Sequence, residues 1–148
     1  MRWTALLSLL ILGACTLPRW PVDGVISSPY GLRLDGIWPE IHRGVDIPLD
    51  VGTPVRAMGP GRVYESGRLR GYGIAVVIDH GGGLYSLYAH LSEAEVEKGE
   101  EVAGQQVIGR SGATGEVTGP HLHFEVWRSG RPEDPVPFLG GPPRPPAR

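Results

Sequence analysis

The sequence predicts a mainly β fold, an antiparallel, twisted open sheet or sandwich whose loops form a groove. Three observations lead there. Glycine (23) and proline (15) make up a quarter of the 148 residues and are scattered between short apolar runs, the pattern of many turns and few helices. The runs themselves are strand-length and rich in β-branched and aromatic residues. Only Ser92 to Lys98 suits a helical turn, and it is too short to dominate.

Taken in order, residues 15–24 read as a tether and residues 25–139 as one domain. Val55-Arg-Ala-Met58 and Gly61-Arg-Val-Tyr-Glu65 are short strands about a Gly-Pro-Gly turn. Ile74-Ala-Val-Val-Ile78 and Leu84-Tyr-Ser-Leu-Tyr-Ala-His90 are strands joined by the glycine-rich hairpin Asp79-His-Gly-Gly-Gly83. Gln106-Val-Ile-Gly109 and His121-Leu-His-Phe-Glu-Val-Trp127 complete the set. The tail, residues 140–148, is mostly Gly, Pro and Arg with nothing to pack, and reads as disordered.

Composition narrows the function classes. At 41% hydrophobic residues the chain can bury a core, and a net charge of −2 gives no electrostatic reason for a nucleic-acid partner. The single cysteine, Cys15, excludes an internal disulfide framework and any multi-cysteine metal site. Residues 1–14 read as a signal peptide. Arg2 gives a positive start, Ala5 to Leu12 is apolar but too short to span a bilayer, and Leu12-Gly-Ala-Cys15 ends it. That ending resembles the lipobox of bacterial lipoproteins, which implies cleavage before Cys15 and a lipid on its thiol. The expected protein is exported and membrane-anchored, facing the periplasm or cell wall.

Four of the five histidines lie in patterns that suit a metal centre. Side chains alternate along a strand, so His121 and His123 project to one face, with Glu125, while Leu122 and Phe124 take the other. Alone, that pair would equally fit an exposed edge strand. His42-Arg-Gly-Val-Asp46 supplies an imidazole and a carboxylate that an extended segment can point the same way; a turn held by an Asp–Arg or Asp–His pair explains the motif as well. Imidazole with carboxylate suits zinc, and three protein ligands with an open fourth position are the usual catalytic arrangement. His90 closes a strand. His80 falls in the hairpin turn, where bonding to the local backbone is role enough.

Together, His42-x-x-x-Asp46, Tyr88-Ala-His90 and Gly119-Pro-His121-Leu-His123-Phe-Glu125 resemble the lysostaphin-type zinc endopeptidases of peptidoglycan. Ser28-Pro-Tyr-Gly-Leu-Arg33, Gly52-Thr-Pro-Val55, Val77-Ile-Asp-His80, Gly109-Arg-Ser-Gly112 and Thr114-Gly115 extend the likeness from about Val25 to Leu139. The resemblance implies that His42, Asp46 and His123 bind one Zn2+ and that His121 and His90 are catalytic, one as base and one as stabiliser of the oxyanion; the sequence leaves open which is which, and His121 is favoured as the base. It implies peptide cross-links of the wall as substrate. Arg33, Asp79 and Glu125 are candidates to support the site from behind, and Trp38 and Tyr72 to line its groove. The rival reading is a non-hydrolytic wall-binding activator of amidases, as in relatives of the fold that have lost ligands. All five site positions are present here.

Overall fold

The computed structural model describes residues 17–147. Eleven strands and one short helix are present among them: β1 (Gly31–Asp35), β2 (Trp38–His42), β3 (Val45–Pro48), β4 (Pro54–Arg56), β5 (Gly61–Leu69), β6 (Gly73–Gly81), β7 (Leu84–Ala94), β8 (Glu101–Val102), β9 (Val107–Ser111), β10 (His121–Arg128), β11 (Arg131–Glu133) and α1 (Pro135–Phe138). All pairings between these strands are antiparallel. The mainly β, open-sheet expectation therefore holds.

β1 and β2 form a separate two-stranded hairpin, and the rest make a nine-stranded sheet ordered β11-β10-β7-β6-β5-β8, with β3 on β10 and β9 joining β4 to β7. β10 pairs with β7 over His123 to Arg128, with β3 over His121 to Phe124, and with β11 over Val126 to Arg128. Its alternation is strict. Leu122, Phe124 and Val126 are buried in a core with Val45, Ile47, Tyr88, Leu91 and Ile108. His121, His123 and Glu125 stand on the other face, as the period of two requires.

β7 is the strand on which the sheet forks. Up to Ala89 it pairs with β10, and from Leu91 to Ala94 it pairs with β9. At the fork, two steps along β6 (Ile74 to Val76) are matched by three along β7 (Tyr88 to Leu91), so β7 carries a bulge there. His90 sits in it with φ 60°. Strict alternation would send position 90 to the core face of Tyr88; the bulge sends it to the other.

Several expected details change. Ser92 to Ala94 continue β7 and form no helical turn, because Leu91 to Ala94 have β9 as a partner. His80 lies in β6, not in the turn. Its Nδ1–H donates to Pro60 O (2.7 Å) and its Nε2 faces Ser86 Oγ (2.7 Å). The Ser86 and Tyr88 hydroxyls share a bond of 2.8 Å, and Tyr88 Oη accepts from Met58 N (2.7 Å). This chain ties the Met58–Pro60 turn to the sheet, and burial holds the His80 pKa below its usual value.

The tether and tail expectations are also corrected over the described residues. Arg19 N donates to Met58 O, Arg56 N to Pro21 O, and Val22 is buried in the core. The Trp20 ring meets Phe124 at 5.9 Å, and its Nε1–H donates to Gly141 O (2.8 Å). Gly24 N donates to Arg144 O (2.7 Å). Proline cannot donate, but the carbonyls that precede prolines can accept, as those of Gly141 and Arg144 do here. Cys15 and the signal segment lie outside the described residues.

Candidate metal and catalytic site

Asp46 and His123 are register partners across β3 and β10, so the pleat turns both side chains to one side. His42 reaches the same point from the end of β2. Between them Gly44 passes so close to β10 that a Cβ there would collide with the carbonyl oxygen of Phe124. The ligating atoms of His42, Asp46 and His123 lie within 4.8 Å of one another. His123 Nδ1 is 2.7 Å from Asp46 Oδ1 and 3.2 Å from His42 Nε2.

The far side of each ring is committed. His42 Nδ1–H donates to Pro29 O (2.8 Å), which leaves Nε2 as a lone pair aimed at the group. His123 Nε2–H donates to Glu125 Oε1 (2.8 Å), and Glu125, 1% exposed, also accepts from Tyr72 Oη (2.9 Å) and from Trp127 Nε1. Burial works against charge on His123, but hydrogen bonds to Asp46 and then Glu125 overcome it and push its pKa up to about 9. Burial likewise opposes the Asp46 charge, and hydrogen bonds from His123 and His42 outweigh it, holding that carboxyl well below its usual range. Glu125 is lowered in the same way, against burial, by His123, Trp127 and Tyr72. Burial and Glu125 push Tyr72 up to about 12, so it remains a donor.

A proton on His123 Nδ1 would occupy the point where three donor atoms, two nitrogens and a carboxylate oxygen, converge. Removing that proton leaves a neutral ring with Nε2–H held by Glu125 and a lone pair turned inward. Imidazole, imidazole and carboxylate is a donor set suited to zinc, and the carboxylate behind His123 is the usual support of a metal-binding histidine.

His121 and His90 stand beside this group. His121 Nδ1–H donates to Gly119 O (2.9 Å), and its Nε2 lies 3.7 Å from Asp46 Oδ1. His90 Nδ1–H donates to Thr114 O (2.8 Å); its ring is 4.8 Å from that of His121 and 5.8 Å from that of His123. Burial holds the His90 pKa down. Both rings keep the Nδ1 proton on a backbone carbonyl and so present Nε2 as an acceptor.

The five expected site residues are thus gathered in one place. Arg33 is near, with Nη1 donating to Ser28 Oγ (3.2 Å) and 3.8 Å from Asp46 Oδ2. Asp79 is not; its Oδ1 accepts from Gly81 N in the β6–β7 turn. Trp38 stands exposed on β2, while Tyr72 supports Glu125 from the β5–β6 turn. The roles of Tyr72, Trp127 and Thr114 escaped sequence reasoning. Thr114-Gly115 was visible as a motif, but nothing in it specifies a contact with a strand more than twenty residues earlier.

The sheet and the β1–β2 hairpin thus gather imidazole and carboxylate donors beside the fork. The chain belongs to peptidase family M23, whose profile matches residues 40–135. Among curated relatives, the DD-carboxypeptidase/endopeptidase Mpg of Neisseria meningitidis serogroup B is 47% identical over 114 residues, covering 75% of this chain and 26% of that protein. The murein hydrolase activator EnvC of Escherichia coli is 39% identical over 122 residues, covering 82% and 28%. The chain therefore spans about a quarter of the length of these relatives. Among solved structures, a zinc-containing peptidase from Vibrio cholerae superposes with a TM-score of 0.76 at 35% identity, over 83% of this chain and 39% of that one. The catalytic domain of lysostaphin from Staphylococcus simulans does so with a TM-score of 0.67 at 36% identity, over 80% and 91%.

Proposed function

We propose that this chain is a zinc metalloendopeptidase that hydrolyses peptide cross-links of bacterial peptidoglycan, with His42, Asp46 and His123 holding one Zn2+ and His121 and His90 as catalytic residues. The observation that carries the reading is the convergence of the three donor atoms within 4.8 Å, each ring tied down on its far side. Bound zinc supplies polarisation of the scissile carbonyl and a lowered pKa for the attacking water. His121, with its proton on Nδ1 held by Gly119 O, presents a free Nε2 to the site 3.7 Å from Asp46 Oδ1 and would accept a proton there as the base. His90 keeps its proton on Nδ1 toward Thr114 O, so it would serve as a donor toward oxyanion or leaving amine once its Nε2 has taken up the proton that neighbouring His121 accepts and releases. Glu125 fixes the ring of His123, and Arg33 flanks Asp46.

Relatives named as peptidoglycan endopeptidases support the substrate class, among them ShyA of Vibrio cholerae. EnvC favours the rival, an activator without hydrolysis. The full set of three donors and two flanking imidazoles favours the enzyme. A wall substrate requires export, and we place the protein at a membrane through a lipid on Cys15; among the described residues no helix is long and apolar enough to cross one. The deciding experiment is incubation of the purified protein with sacculi and mass spectrometry of the muropeptides released. Cleaved cross-links that vanish with chelator and return with zinc are expected. Intact sacculi from zinc-loaded protein that nonetheless stimulates an amidase would establish the rival.

A further inference from the structure

We infer that Thr114 is a positioning residue for the reaction, its hydroxyl holding open the β7 bulge that aims His90 at the site. The inference rests on the catalytic reading of His90 proposed above. Ile74 and Leu91 are register partners on β6 and β7, immediately beyond the bulge. Thr114 Oγ1 lies between them: it donates to Leu91 O (2.6 Å) and accepts from Ile74 N (2.9 Å). One hydroxyl thus satisfies a donor and an acceptor on facing strands at the place where the bulge disturbs the ladder. The same residue's carbonyl takes the Nδ1 proton of His90 at 2.8 Å and so sets both its orientation and its tautomer.

The surrounding backbone is locked to match. His90 N donates to Tyr72 O (2.8 Å), and Glu116 N donates to Gly71 O (3.1 Å). The β5–β6 turn and the Thr114 loop touch through bare backbone. Gly73 and Gly115 have φ of 67° and 84°, and a Cβ on Gly73 would collide with Thr114, one on Gly115 with Gly73. His90 is a non-glycine residue at φ 60°, a conformation that persists only where its surroundings impose it. Thr114 imposes it from two directions.

A misplacement of about 1 Å at a reacting group lowers turnover by about a hundredfold. Thr114→Val removes the hydroxyl and keeps the shape. The expected result is a kcat reduced by about that factor, KM little changed, zinc still bound at one per chain, and faster hydrogen exchange at the His90 amide. Thr114→Ser restores the hydroxyl and should recover most of the turnover. In a His90→Ala background, Thr114→Val should add no further loss, since the group it positions is gone. Should Thr114→Val not fold, Thr114→Ala, which only removes atoms, carries the same expectations.

The outcomes separate. Full turnover by His90→Ala would remove the catalytic reading of His90 itself. Loss of turnover by His90→Ala with an unchanged kcat in Thr114→Val would overturn the positioning role alone. Failure of serine to rescue, loss of zinc from Thr114→Val, or an additive loss in the double variant would overturn it too.

Discussion

Asp46 and His123, separated by most of the domain in sequence, are paired across β3 and β10 with Oδ1 and Nδ1 2.7 Å apart. The donor group is therefore built on the seam between two strands and inherits their rigidity. His121 and His123 share a face of β10, yet only His123 has its ring nitrogen inside the group of three.

That difference separates ligand from catalyst. His123→Ala should lose zinc and activity together. His121→Ala and His90→Ala should keep about one zinc per chain while turnover falls by roughly two to four powers of ten, the contribution of a general acid or base. Metal content measured beside cleavage rate for each purified variant tests this. Zinc lost from His121→Ala and retained by His123→Ala would reverse the assignment.

Glu125 should matter to metal affinity without being a ligand. It carries the far nitrogen of His123 and is almost fully buried. Glu125→Gln keeps the shape and removes the charge, and zinc affinity should weaken by about 10- to 100-fold. Competition against a chromophoric chelator measures it. An affinity equal to that of the unaltered protein would mean that the carboxylate only fills space.

His80 should make folding stability depend on pH. Its folded pKa lies below the ordinary value because of burial, so as pH falls below about 6.5 the unfolded chain takes up the proton first. Stability from this group is complete above that pH and declines below it, until the folded ring is protonated too. His80→Gln should be less stable near pH 7.5, by about 1–2 kcal/mol for the lost hydrogen bonds, and should lose less on acidification than the unaltered protein. Denaturant melts of both at pH 7.5 and 5.5 give the comparison, and equal acid sensitivity would falsify the assignment.

Cys15 should carry the membrane association. The exported protein should partition with membranes and show acyl mass on Cys15, and Cys15→Ser should be soluble or uncleaved. An unmodified thiol on soluble exported protein would count against the anchor.

Much of the fold was legible because its signals are local. The alternation of β10 alone puts His121, His123 and Glu125 opposite Leu122 and Phe124, and the structure keeps that division. Strand bounds at Gly61, Leu84 and His121 were marked by adjacent glycine or proline. What stayed hidden depends on distant partners. Nothing near His90 announces a bulge, since the extra residue is defined only by the register of β6. The tail seemed unable to pack because it lacks apolar residues, but it is held by its carbonyls at Gly141 and Arg144. Tyr72 reads as an aromatic in a loop, and its tie to Glu125 spans 53 residues.

The division of β10 into two faces has a consequence for how the chain tolerates insertion and deletion. Six residues, His121 to Val126, serve the polar site and the hydrophobic interior alternately, with no spare position between them. Removing or adding one residue between His121 and Val126 would turn imidazoles into the space of Leu122 and Phe124 and bring leucine and phenylalanine to the donor group. Interior and site would be lost at one stroke, whereas the far turn of the β1–β2 hairpin, beyond Arg33 and His42 and flanked by exposed Leu34 and Trp38, can change length with less disturbance to either. Variation in length belongs to that turn, and β10 must keep its frame.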